Sequence, residues 1–137
     1  MGQVAHSAQE MISGMTPEVR PGMFVFASLT DKGQIARLSA AALGTFQEAE
    51  GLSLLVPVEV ARAEGLAVDQ PMRQITLNVY SSLEGVGLTA AVATVLAEAG
   101  IACNMVAAHH HDHAFVPAAR AEEALALLLA LQGAAQE

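Results

Sequence analysis

The chain has 137 residues, a formal net charge of −8 and a mean hydropathy of +0.43, with 53% hydrophobic and 15% charged residues. That length fits one compact domain or two small units sharing a core, and the acidic balance argues against nucleic acid and anionic membranes as partners. A single cysteine, Cys103, excludes an internal disulfide and a paired-cysteine site.

The longest uncharged apolar runs, 85–97 and 124–131, are too short to span a bilayer. Residues 1–6 have no basic start leading into an apolar core, so a cytoplasmic protein is expected. With so few charges, part of the surface is expected to lie against another subunit, and a homodimer follows.

In chain order, residues 5–13 have the composition of a short helix ended by Gly14, and Pro17, Pro21 and Gly22 then mark a turn-rich lead-in. Met23–Leu29 reads as a strand. Apolar residues at 35, 38 and 42 predict a helix over 35–43. Residues 45–48 and 52–56 flank Glu50-Gly51 as a hairpin, and Pro57 opens a helix that runs to Glu64 and stops at Gly65. Gln74–Tyr80 alternates strictly, with Ile75, Leu77 and Val79 on one face, and predicts a strand covered on one side only. Val86–Ala99 is apolar almost all round and reads as a largely buried helix. Two further strands, 101–107 and 113–116, are joined by a histidine-rich bend. A closing helix over 122–131 has Glu122 and Glu123 at its start and Gly133 past its end.

Two landmarks recur in the same order. Val25-Phe26-Ala27-Ser28-Leu29 is answered by Val79-Tyr80-Ser81-Ser82-Leu83, and Leu55-Val56-Pro57 by Phe115-Val116-Pro117, each shortly before Ala-Arg-Ala-Glu. Such an echo means one supersecondary unit built twice. Each copy reads strand, helix, strand, strand, helix, a ferredoxin-like pattern without its last strand. The expected class is α+β: two βαββα units, 15–70 and 71–133, side by side in an antiparallel sheet with helices on one face.

Chemistry is sought first in the turn Ser81–Thr89. A helix start offers free N–H groups and a positive dipole end, and Gly85 and Gly87 let an anion approach. The other reading is a capping box of Ser81 and Glu84 with glycines that only permit the turn. Gly85-Val86-Gly87-Leu88-Thr89-Ala90 formally matches a dinucleotide fingerprint, but the strand that follows ends in Ala-Ala rather than an acidic residue, and its neighbour is a hairpin partner. No cofactor is expected.

The second stretch is His109-His110-His111-Asp112-His113. On an extended chain His109, His111 and His113 share a face and form an alternative metal set, although no carboxylate or cysteine pair is spaced to complete it. A polar loop at a ligand pocket or interface is the other reading. Ser81 or Ser82 with His111 and Asp112 supplies the residue types of a hydrolytic triad without a nucleophile elbow, so no enzyme is expected. Asn104, the one polar residue of the strand 101–107, is read as a buried amide that bonds a strand edge or a ligand.

The run Ile75-Thr76-Leu77, Ser81-Ser82-Leu83, Val86-Gly87-Leu88-Thr89-Ala90, Asn104 and His111-Asp112-His113-x-Phe115-Val116-Pro117 resembles small bacterial proteins built from tandem ACT domains. Gly14-Met15-x-Pro17-Glu18 and Phe46-x-Glu48-x-Glu50-Gly51-Leu52 fit the same proteins. The resemblance implies a regulatory fold whose units pair into a larger sheet and bind amino-acid-like effectors. It implies ligand contacts at Ser82, Gly85, Val86, Gly87 and Leu88 and, on the facing strand, at Asn104. Ala108-His109-His110 departs from the glycine and aromatic residues expected there.

The candidate ligand set is therefore Ser81, Ser82, Gly85, Val86, Gly87, Leu88, Asn104, His111, Asp112 and His113. The expected role is effector binding with output through another protein. The rivals are an interaction module without ligand and a histidine-cluster metal protein.

Overall fold

The computed structural model describes residues 7–80 and 85–137. Its elements in chain order are α1 (Ala8–Ser13), β1 (Pro17–Val19), β2 (Phe24–Leu29), α2 (Lys32–Ser39), β3 (Gly44–Glu48), β4 (Gly51–Pro57), α3 (Val58–Ala63), β5 (Met72–Leu77), α4 (Leu88–Glu98), β6 (Asn104–Ala107), β7 (Asp112–Pro117) and α5 (Ala121–Ala135). The chain divides into two compact units, one of residues 22–72 and one that joins the N-terminal residues as far as Pro21 to 73–137.

In the 22–72 unit the strand order is β3-β4-β2. β2 pairs antiparallel with β4 from Phe24↔Pro57 to Leu29↔Leu52, and Phe24 also pairs with Met72. The period-2 pattern sends Val25 and Leu29 of β2, with Leu54 and Val56 of β4, to one face, where Leu38, Val58 and Ala61 of the helices close the core. The opposite face carries Phe26 across from Leu55 and Phe46 across from Ser53. Every residue of β3 is exposed, Phe46 at 74%. Arg37 clamps α2 to the end of α3, its Nε and Nη2 each donating to Glu64 at 3.0 Å.

In the other unit the strand order is β1-β5-β7-β6. Its core gathers Met11 and Met15 from the N-terminal segment, Ile75 and Leu77 of β5, Leu88, Val92 and Leu96 of α4, Ala114 and Val116 of β7, and Ala121, Ala124 and Leu128 of α5. The βαββα set β5-α4-β6-β7-α5 is the expected ferredoxin-like half. The strand it lacks is supplied by β1, antiparallel to β5 from Pro17↔Leu77 to Val19↔Ile75. The sequence predicts a turn here. Proline is tolerated as the first residue of an edge strand, so the segment pairs despite it.

Several expectations need correction. α4 starts at Leu88 rather than Val86 and buries only Leu88, Val92 and Leu96, one residue per turn, leaving Thr89, Ala90, Thr94 and Ala97 exposed. Alanine is apolar but small, so an all-round apolar helix need not be buried all round. β5 is not bare on its second face, since Thr76 is 5% exposed. α5 runs through Gly133 to Ala135 because the Gln132 and Gln136 amides beyond its expected end both donate to Ser13 O at 2.9 Å.

Candidate functional site

β5 leads through Asn78, Val79 and Tyr80 toward the turn that starts α4. Ser81 and Ser82, together with the capping box on Ser81 and Glu84, lie outside the described residues. Gly85 and Gly87 are half-buried, Val86 is 79% exposed, and Leu88 turns inward at 3% exposure. Leu88 therefore belongs to the core, and only its backbone N–H faces the helix start.

Gly87 is the N-cap of α4, in the left-handed region at φ 112°, and accepts the first helical hydrogen bond from Ala91 N at 2.9 Å. That backbone conformation is the physical reason for glycine here. Having no side chain, Gly87 offers the first amides of α4 no capping oxygen of its own, and no other described side chain caps them. The equivalent turn of the 22–72 unit is built otherwise. There Asp31 caps α2, its Oδ2 accepting from Gln34 N at 2.9 Å. A carboxylate of the chain itself thus bonds the first turn of α2.

The histidine bend closes beside the segment that leads into this turn. Ala108 N donates to His111 O at 3.0 Å, next to the Ala107↔Asp112 pair, so His109 and His110 form the tip of a tight hairpin. His111 Nδ1 lies 3.2 Å from Val79 O, and its ring stacks on Tyr80 with centroids 5.0 Å apart and planes at 25°. His110 meets the same tyrosine edge-on at 5.8 Å. The bend and the segment leading into the turn are thereby tied together.

His113 turns to the sheet face away from the helices. Its Nδ1 lies 3.1 Å from both Gln74 Nε2 and Thr76 Oγ1. An amide NH₂ only donates, so Nδ1 accepts and the proton of the neutral ring sits on Nε2. Burial holds the His113 pKa below the ordinary histidine value; His111 and Arg20 lower it further, and Asp112 opposes them. Asp112 is half-buried at the start of β7.

Asn104 is not brought to the turn. It opens β6 opposite Phe115, three strand residues (roughly 10 Å) from the bend, and is exposed rather than buried. Its Nδ2 donates to Phe115 O at 3.4 Å. β6 ends the strand order, and there an outward-facing side chain stays in solvent. Among the described residues no group of three or more His, Cys, Asp or Glu is placed to hold a metal ion. The hairpin at 109–110 removes the shared face that an extended chain would give His109, His111 and His113.

Sequence reasoning passed over four participants. Gln74 and Thr76 were legible as the polar face of an alternating strand. Tyr80 is legible as part of the repeat and of the same polar face. Ala8, whose Cβ lies 2.6 Å from where a Gly87 Cβ would be, gave no local signal.

The fold defines a class, a ferredoxin-like α+β domain used twice. Residues 6–73 match an ACT domain and residues 70–130 match a second. The chain belongs to the ACT-domain family, as two ACT domains in tandem. A Vibrio cholerae protein of unknown function, described as a possible transport protein, is 41% identical, with a TM-score of 0.78 and 88% of this chain and 92% of that chain covered. The regulatory subunit of aspartate kinase from Thermus flavus is 13% identical, with a TM-score of 0.53 and coverage of 84% and 95%. E. coli aspartokinase III, solved in complex with aspartate and ADP, is 14% identical, with a TM-score of 0.60, 84% of this chain and 32% of that chain covered. At those two identities the likeness is one of fold. No protein of curated function matches the chain.

Proposed function

We propose that this tandem ACT protein binds an amino-acid-like effector at the Gly85–Leu88 turn of its second domain, catalyses nothing itself, and acts through a protein partner as a homodimer. The observation that carries this reading is the contrast between the two turns: Asp31 caps α2, whereas among the described residues no side chain caps α4, which starts at Gly87. Backbone N–H groups at the positive end of a helix suit a carboxylate. The His111–Tyr80 pair adds an aromatic contact on the segment that leads into that turn. Membership of the ACT-domain family supports a small-molecule effector as the class of ligand.

The test is a thermal-shift screen of the amino acids at millimolar concentration. At least one is expected to raise the melting temperature. Val86→Asp, at a site 79% exposed, sets a carboxylate beside the helix start and is expected to abolish that rise, while Val86→Ala keeps it. A flat response across the whole panel in the unaltered protein would sink the reading.

A further inference from the structure

α1 has only six residues, yet it is held at both ends. Ser7 Oγ accepts from Glu10 N at 3.1 Å, and Glu10 Oε1 accepts from Ser7 N at 3.2 Å. Met11 and Met15 reach the core at 1% and 0% exposure. At the far end Ser13 O accepts from both Gln132 and Gln136 at 2.9 Å, and Gln9 Nε2 donates to Ala135 O at 3.4 Å. The chain then bends through Thr16, at φ 37° the one non-glycine residue with positive φ among the described residues, into the strand paired with β5.

The start of this helix lies on the turn described above. A Cβ on Gly87 would come within 2.6 Å of Ala8 Cβ, so the Ala8 methyl packs against the N-cap of α4. We propose that the N-terminal segment 7–19 is an autoinhibitory strap. A docked α1 and a guest at the start of α4 exclude each other, and release of α1 is the signal that effector binding sends out. The inference rests on the ligand reading of the Gly85–Leu88 turn. Because the apparent affinity of a guest falls with the fraction of molecules whose strap is open, the contacts of α1 set the effector concentration that is sensed. Those contacts include three glutamine–carbonyl bonds at its ends, which can be removed without touching the turn.

Hydrogen exchange reads the strap directly, at the Met11, Gly14 and Met15 amides that bond Ser7 O, Glu10 O and Ile12 O. In the double variant Gln132→Ala, Gln136→Ala these amides are expected to exchange at least tenfold faster, with the β4 amides of the 22–72 unit unchanged. Adding the amino acid that raises the melting temperature is expected to speed the same amides in the unaltered protein. Its apparent Kd should tighten severalfold in the double variant. If that amino acid binds but slows these amides or leaves them unchanged, the strap is wrong and the ligand reading stands. If no amino acid binds even the loosened variant, both fall.

Discussion

Thr76 Oγ1 lies 3.1 Å from His113 Nδ1, the same nitrogen that Gln74 Nε2 approaches at 3.1 Å. A half-buried imidazole is thereby held by two side chains of the neighbouring strand in the form that carries no charge. Protonating Nδ1 would turn it from an acceptor into a donor facing an amide that can only donate.

The pH dependence follows from the sign of that shift. The folded pKa of His113 is depressed, chiefly by burial. Its contribution to stability is full above the unfolded value near 6.5 and is lost as the pH falls from there through the folded pKa. Thermal unfolding between pH 7.5 and 5.0 should show a falling melting temperature, with a shallower fall for His113→Gln. Equal slopes for the two proteins would refute the assignment.

Gly51, at φ 150°, opens β4 where a Cβ would lie 2.7 Å from Leu29 O, a backbone atom that cannot swing away. Gly51→Ala should therefore destabilise by about 2–3 kcal/mol, the range of a strained backbone position. Chemical denaturation of the pair would measure it, and a loss under half that size would mean the hairpin relaxes freely.

Thr16 holds φ 37° with a β-branched side chain, an unfavourable combination. Asparagine tolerates that region without the added chain entropy of glycine, so Thr16→Asn should stabilise by about 0.5–1 kcal/mol. A drop in melting temperature would instead assign the residue's value to the Gln132 Nε2–Thr16 Oγ1 contact at 3.4 Å.

Arg120 closes the C-terminal end of α4, Nη2 donating to Ala99 O at 3.0 Å and Nη1 to Gly100 O at 3.5 Å while Nε holds Glu123 at 2.8 Å. Removing a cation from carbonyls at the negative end of a helix forfeits both its interaction with the helix dipole and the hydrogen bonds. Arg120→Ala should lower the melting temperature, with Arg120→Lys in between. The two substitutions would have equal effects if only side-chain packing mattered.

The sequence by itself determined the duplicated βαββα units, the faces of their strands and the tandem ACT family, because these are local matters. Period-2 burial at Val25 and Leu29 or at Ile75 and Leu77, and a glycine where a strand turns into a helix, are each written within a few residues. Ser81 and Ser82 stand in that same legible turn but outside the described residues. Only the tertiary structure decided where Asn104, Thr76 and the histidines lie, since a two-residue hairpin tip and the end of a strand order fix which polar groups meet. It also decided the place of residues 7–19. Their partners Leu77, Gly87, Gln132 and Gln136 are remote in the chain, and no local periodicity encodes a strand completed or a turn covered from so far away.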